Sequence, residues 1–370
     1  MTLTKPRFPF KSPQLSGGLK RKKALATSLG AASALLHCIP TRTLSFKDKC
    51  VLITGGSRGL GLALAERFMR EEANVVLLAR DLEELERAAE QLSKAFNRDV
   101  LTVCCDITEP GELEDAFRQA EERFNGVDVL VNNAGTIAVG PFQAMEIIDY
   151  DAMLKLQINT VIRTIQLAVP SFAAKGGGTI INICSVGGQL PVPHMSTYCA
   201  GKFALSGFSE TLAIELAQEN IQVTTVYPGM MQTGSPIQAV FKGDHEQEYA
   251  WFQTGDVLPF ISVSARDAAN QIITGVRQGN TRVCYPMTTF IGAKLFAVFP
   301  ETYQTIMQQA ARFFPKGTNP TRQTGAESKN WLTRQFWYNL WLKKKQDQAA
   351  THLNQTEKSN ADFNMGIEPD

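Results

Sequence analysis

Histidine is scarce, with four in 370 residues, and the seven cysteines are scattered. His37, His194, His245 and His352 lie far apart, and Cys104-Cys105 is the nearest cysteine pair. None of this has metal-ligand spacing, so a zinc or iron–sulfur centre is excluded as the basis of function. The odd cysteine count and apolar settings fit reduced thiols in a reducing compartment. Net charge is only +1, which gives the chain as a whole no nucleic-acid footprint. Long apolar runs are also missing. Ala24–Ile39 is apolar and small, but sixteen residues fall short of the ~20 needed to span a bilayer comfortably. No internal repeat at a solenoid period is visible.

What is present begins with an uneven charge. Residues 1–49 carry ten Lys/Arg against one acid, Asp48. Residues 1–45 read as a basic, partly disordered extension containing the apolar segment 24–39. Lys20-Arg21-Lys22-Lys23 just before that segment favours a cytoplasmic, anionic-lipid setting. The stretch is either a tether to a membrane face or a cleavable targeting peptide.

From Lys49 the pattern alternates. Cys50–Thr54, Asn74–Ala79, Val100–Cys104, Val127–Val131, Thr179–Cys184, Ile221–Tyr227 and Arg282–Tyr285 read as buried strands, mostly Val/Ile/Leu-rich. Helical patterns run between them over about Leu60–Glu71, Leu82–Phe96, Glu112–Phe124, Tyr150–Val169, Tyr198–Glu219 and Ala265–Val276. This alternation predicts an α/β fold: a doubly wound, Rossmann-type, mostly parallel seven-stranded sheet with helices on both faces, spanning 46–286. A helical extension follows over 287–345, with Pro300 breaking Thr288–Phe314. Trp331, Phe336, Trp337, Tyr338 and Trp341 precede Lys343-Lys344-Lys345, an amphipathic pattern with a basic end. This segment either meets a membrane surface or packs on the body or a second subunit. Residues 346–370 are polar and read as a disordered tail.

The first strand runs into Thr54-Gly55-Gly56-Ser57-Arg58-Gly59-Leu60-Gly61. Gly55 permits a tight turn, Gly59 lets backbone approach a pyrophosphate, and Gly61 allows the next helix to pack closely. The helix N-terminus then offers N–H groups and a positive dipole end to the phosphates. Such a turn is either a plain strand-to-helix connection or a dinucleotide site, and the strand before and helix after favour the second. Arg80 ends the second strand, 19 residues after Gly61. With Arg58 it offers two guanidiniums to an adenosine 2′-phosphate, each worth roughly 1.5–3 kcal/mol as a charge-assisted bond. NADP(H) is therefore expected over NAD(H), with NAD as the alternative should Asp81 reach the ribose instead.

Tyr198 and Lys202 are four apart and share a helix face, and Ser185 ends the strand before them. A free tyrosine, with pKa ~10, is too weak a base at neutral pH. A nearby ammonium lowers that value, so Lys202 is expected to tune Tyr198 for proton exchange with a carbonyl. Ser185 is placed to hydrogen-bond the same oxygen. Cys199 reads as a packed thiol. His194 either lines the pocket or faces solvent, and its loop setting favours solvent.

These residues resemble the short-chain dehydrogenase/reductase family, in its single-domain branch, from about Phe46 to Tyr285. The resemblance rests on the glycine motif, on Asn132-Asn133-Ala134-Gly135, and on Asn159 standing 26 residues before Ser185. Tyr198-Cys199-Ala200-Gly201-Lys202 and Pro228-Gly229 with Thr233 complete it. It implies Tyr198 as general acid/base, Lys202 on the nicotinamide ribose, Ser185 orienting the carbonyl, and Asn159 supporting a water relay. It further implies cofactor contacts from Gly55, Ser57, Arg58, Gly59, Leu60, Gly61, Arg80, Asp106, Ile107, Asn133, Ala134, Gly135, Pro228, Gly229 and Thr233. Homodimers or homotetramers are expected, and no metal.

The segment from Met230 to about Val257 follows the sixth strand, where the family places a variable lid. Met230, Met231, Phe241, Tyr249, Trp251 and Phe252 either line an apolar substrate site or pack the lid on the core. A lipophilic ketone or secondary alcohol is the expected substrate. A cofactor-sensing binding protein on the same fold, its chemistry weak or lost, is the alternative function.

Overall fold

Strand β1 (Cys50–Thr54) is buried along its whole length, and its side chains divide by parity. Val51 and Ile53 enter one apolar cluster, Cys50 and Leu52 another. Strand β2 (Asn74–Ala79) repeats the division, with Val75 and Leu77 on one face and Val76 and Leu78 on the other. That is the physical meaning of a near-continuous apolar run: both faces need a helical layer. Each such Leu, Ile or Val contributes ~1.5–3 kcal/mol on burial.

The computed structural model describes residues 44–232, 235–257, 262–328 and 353–354. The remaining strands of the main sheet are β3 (Val100–Cys104), β4 (Val129–Asn132), β6 (Gly178–Ile183), β7 (Ile221–Pro228) and β11 (Arg282–Tyr285). They lie in the order β11-β7-β6-β4-β1-β2-β3, and every pairing is parallel. The seven expected strands are these seven, with ends shifted by a residue or two. Helices α1 (Gly59–Met69) and α2 (Leu82–Phe96) contribute to one apolar layer. Helix α3 (Pro110–Phe124) contributes to the other. Asp81 caps α2, accepting from the N–H of Glu84 at 2.9 Å. That is an ordinary acidic N-cap, and it occupies the carboxylate considered above for the ribose.

The expected helix over Tyr150–Val169 is broken into three parts. Helix α4 (Ile147–Leu154) passes into a π-helical turn, Lys155–Asn159, and then into α5 (Thr160–Ala174). The Thr160 hydroxyl donates to the Lys155 carbonyl at 2.9 Å, stitching the wide turn. Such turns gather at functional sites. Helix α6 (Ser196–Glu215) packs against this turn, and Gly201 makes the close approach: a Cβ there would stand 2.5 Å from Oε1 of Gln157. Helix α8 (Ala265–Arg277) begins on the Ser264 cap and closes the first layer beside α1.

Strand order reverses between β1 and β4, opening a cleft at their C-terminal ends. Among the described residues, five short strands lie outside the main sheet. Those of the three-stranded sheet are β5 (Ala138–Val139), β9 (Val240–Phe241) and β12 (Gln323–Thr324), in the order β12-β9-β5. The other two, β8 (Met230–Gln232) and β10 (Ser262–Ser264), pair with each other. Helix α7 (His245–Val257) belongs to this lid region. After β11 come α9 (Met287–Val298) and α10 (Pro300–Ala310), and Pro300 stands in the first turn of α10, where its missing N–H costs nothing. Among the described residues no helix is long and apolar enough to cross a membrane. The segments Ala24–Ile39 and Trp331–Lys345 lie outside the described residues.

Candidate active site

The cleft is tied together by Thr54. Its hydroxyl accepts the N–H groups of Asn133 and Ala134, each at 3.0 Å. Asn133 in turn donates its side-chain amide to the carbonyls of Thr54 and Gly55, both at 3.0 Å. The ends of β1 and β4 are thus one unit. Gly55 (φ +63°) and Gly59 (φ +57°) adopt left-handed backbone, as the tight turn requires. At Gly61 a Cβ would stand 2.1 Å from the Gly55 carbonyl oxygen and 2.7 Å from the Asn133 amide nitrogen. Only glycine fits, and the resulting cradle suits a dinucleotide pyrophosphate.

Ser57 and Arg58 share a partner that sequence did not reveal. Glu84, with a side chain 2% exposed, takes the Ser57 hydroxyl at 3.1 Å and Nη1 of Arg58 at 2.9 Å. As an acid in the first turn of α2 it reads as ordinary helix chemistry, and no sequence signal separates it from Glu83. Arg80 stands at the neighbouring strand end, with Nη1 3.9 Å from the Asp106 carboxylate. Asp106 also accepts from the N–H and the hydroxyl of Thr108, both at 2.8 Å, and Ile107 is buried beside it. The Gly59 N–H, expected to face phosphate, is instead taken by the Leu353 carbonyl at 2.9 Å. Leu60 is buried in the layer of α1 and α2.

On the other side of the cleft, Ser185 follows β6 and accepts the Gly187 N–H at 3.1 Å. The Tyr198 ring lies against Gly187, 3.1 Å from where a Cβ on that glycine would stand, and so beside Ser185. Lys202, fully inside the fold, donates to the Ile183 carbonyl at 2.9 Å and stands 5.8 Å from the centroid of the Tyr198 ring. A Cβ on Gly135 would lie 3.9 Å from Nζ of Lys202, so the end of β4 meets the lysine. Gly229, at the end of β7, donates its N–H to Tyr285 at 2.8 Å. Ser185, Tyr198 and Lys202 are therefore brought together, beside Gly135 and near the turn after β1. Asn159 ends the π turn with its side chain exposed. It is Gln157, two residues earlier, that is buried against Gly201 and donates to the Thr136 carbonyl at 3.2 Å. Thr233 lies outside the described residues.

Burial acts on both the tyrosine and the lysine. It pushes Tyr198 well above the usual phenol range, and the nearby Ser185 hydroxyl draws it back only in part. Burial also holds Lys202 below the usual amine range. The lysine is turned toward a backbone carbonyl, so desolvation outweighs the ammonium–phenol effect argued from spacing. Cys199 is buried and its thiol is held above the ordinary range by burial, as befits a packed group.

His194 is corrected as well. Its side chain is only 13% exposed and its Nδ1 lies 2.7 Å from the fully buried Glu248. Trp251 and Phe314 stack around it, with ring centroids at 6.2 and 5.2 Å. Five of the six lid residues pack on apolar clusters: Phe241, Tyr249 and Phe252 form one with Val139, Met195 and Cys199, Trp251 packs against it, and Met231 packs against the layer of α1 and α2. Met230, Met231 and Trp251 remain half-buried.

A family model described as short chain dehydrogenase matches residues 49–240. The chain belongs to the short-chain dehydrogenase/reductase family. Among its relatives in that family is D-beta-hydroxybutyrate dehydrogenase of Rhizobium meliloti, 31% identical over 206 residues, covering 54% of this chain and 80% of the relative. A 2,5-dichloro-2,5-cyclohexadiene-1,4-diol dehydrogenase of Sphingobium indicum is 36% identical over 192 residues, covering 52% and 75%. Among solved structures, L-sorbose reductase of Gluconobacter frateurii, complexed with NADPH and L-sorbose, superposes with TM-score 0.59 at 29% identity. That match covers 65% of this chain and 96% of the reductase. A family member from Burkholderia phymatum in complex with NAD shares the fold at TM-score 0.64 and 21% identity, covering 70% and 96%.

Proposed function

We propose that the chain reduces a ketone or aldehyde, or oxidises the matching secondary alcohol, with Tyr198 as general acid/base. The observation that carries this is the gathering of Ser185, Tyr198 and Lys202 beside the cleft: the tyrosine ring and the serine both meet Gly187, and Nζ of Lys202 stands 5.8 Å from the ring centroid. A nicotinamide dinucleotide on the glycine turn supplies or accepts the hydride. Tyr198 gives its proton to the carbonyl oxygen in reduction and takes it back in oxidation. Ser185 steadies the charge developing on that oxygen. Lys202 holds the ribose side of the site and faces Gly135. Asn159 supports a water relay from the π turn.

We further infer a preference for NADP(H). Arg58 and Arg80 stand at the two strand ends that flank the adenosine pocket, and the Gluconobacter relative was solved with NADPH. The pairing of Arg58 with Glu84 works against this preference by neutralising the guanidinium, so the balance is a measurable one. kcat/KM with NADPH and with NADH decides it: equal values or a preference for NADH overturn the reading.

For the substrate, Met230, Met231 and Trp251 support a lipophilic carbonyl compound. A panel of apolar and sugar-like carbonyls followed at the nicotinamide absorbance tests this, and faster turnover of polyols would end it. A peripheral membrane contact draws support from α9, where Met287, Ile291, Leu295 and Val298 expose apolar surface at helical spacing. Liposome flotation of the full chain checks the contact, and sedimentation velocity checks the expected dimer or tetramer.

A further inference from the structure

Two residues far down the chain are built into the glycine turn. The Leu353 carbonyl accepts from the N–H of Gly59 at 2.9 Å, and the Leu353 side chain is 5% exposed, in the same apolar cluster as Leu60 and Leu85. Asn354 is 7% exposed and left-handed, at φ +58°. Its amide nitrogen donates to the carbonyls of Ser57 (3.0 Å) and Glu84 (2.8 Å), and its amide oxygen accepts from Nε of Arg87 at 3.0 Å. Both hydrogens and the oxygen of a buried amide are thus used. Asparagine suits the position twice over, because it tolerates the left-handed backbone and carries donors and an acceptor on one short side chain.

The partners are not arbitrary. Ser57 and Gly59 flank Arg58, and Glu84 is the residue whose carboxylate holds both the Ser57 hydroxyl and the Arg58 guanidinium. Leu353 and Asn354 therefore fasten both sides of Arg58 and join the turn to α2. We propose that this pair is a latch that positions the glycine turn, and Arg58 within it, for the adenosine end of the dinucleotide. The proposal rests on the dinucleotide reading above. Asn354 acts through Ser57, Glu84 and Gly59 and is a positioning residue.

The first test needs no substitution. Hydrogen exchange on the full chain, with and without saturating NADPH, reads the amide of Gly59 directly. The latch keeps that amide protected in both states. Release of protection on adding NADPH means that the tail is displaced by the dinucleotide and overturns the proposal. The second test is Asn354→Ala, with Asn354→Asp beside it, since the carboxylate lacks the donors that the two carbonyls need. Losing a buried, multiply bonded amide should raise the Kd for NADPH about tenfold and speed Gly59 exchange. The Kd for NADH, which lacks the 2′-phosphate, should rise less, and kcat at saturating NADPH should stay near the parent value. An unchanged or tighter Kd for NADPH in both folded variants refutes the latch. If the parent chain binds no dinucleotide at all, the dinucleotide reading fails together with the proposal, whereas the exchange rate of Gly59 in the unliganded variants separately reports whether Asn354 holds the turn.

Discussion

The ammonium of Lys202 is directed at the Ile183 carbonyl oxygen, 2.9 Å away, and not at the Tyr198 hydroxyl. Burial raises the pKa of that phenol, which keeps its proton at neutral pH. Tyr198→Phe removes that proton and little else. Turnover should fall by about 10²–10⁴, the usual worth of a positioned acid or base, while dinucleotide affinity is retained. Steady-state rates and a binding titration on the same sample check this, and a variant of undiminished turnover would exclude Tyr198 as the acid/base.

The same shift sets a pH dependence. A phenol whose pKa is raised in the folded state adds stability that is complete below the unfolded value, ~10, and is lost as pH rises toward the folded value. The stability gap between the parent chain and Tyr198→Phe should therefore be constant from pH 7 to 9 and shrink above pH 10. Urea unfolding across that range measures it, and a gap that widened with pH would contradict the sign.

Gly61 faces the Gly55 carbonyl with no room for a methyl group. Gly61→Ala forces a backbone shift in the turn, an overpacking cost of ~1–3 kcal/mol. Dinucleotide binding should weaken by more than the stability loss alone explains, because the cradle itself moves. Thermal melting with and without NADPH separates the two effects: the variant should melt lower, and the ligand-induced rise should nearly vanish.

Asp149 lies at the base of the lid, 2.7 Å from Nζ of Lys242 and 2.7 Å from Arg322. Burial pushes its pKa up, but the Glu146 N–H, Lys242 and Arg322 outweigh burial and hold it below the usual carboxylate range. Asp149→Asn leaves buried Lys242 only the exposed Glu146 carboxylate, 3.0 Å away, and should destabilise at neutral pH by no more than the ~3–5 kcal/mol of a broken buried pair. Since the folded pKa is depressed, the parent's advantage is present above ~4 and disappears as pH falls through the folded value. Denaturant midpoints at pH 7 and at pH 2 test both magnitude and sign.

Much of the architecture was legible because its signals are local. Val51, Leu52 and Ile53 announce a strand buried on two faces, and Gly55, Gly59 and Gly61 announce the turn that follows. Tyr198 and Lys202 announce a shared helix face through spacing alone. The short strands β5, β9 and β12 were not legible, since two residues carry no periodicity. The π turn was hidden for a related reason: one extra residue in Lys155–Asn159 rotates the helix face without changing its composition. Phe241, Tyr249 and Phe252 look alike whether they line a pocket or fill a core, and packing chose the core.

By itself the sequence determined the parallel sheet, the glycine turn after β1 and the shared helix face of Tyr198 and Lys202, because hydrophobic period and glycine chemistry act within a few residues. Only the tertiary structure decided where their charges sit and what supports them. Burial, not Lys202, governs the phenol of Tyr198; Glu84 claims Arg58; and Asn354 reaches Ser57 across 297 positions of chain. Desolvation and long-range hydrogen bonds depend on what the whole fold places nearby, and no local pattern of residues encodes that.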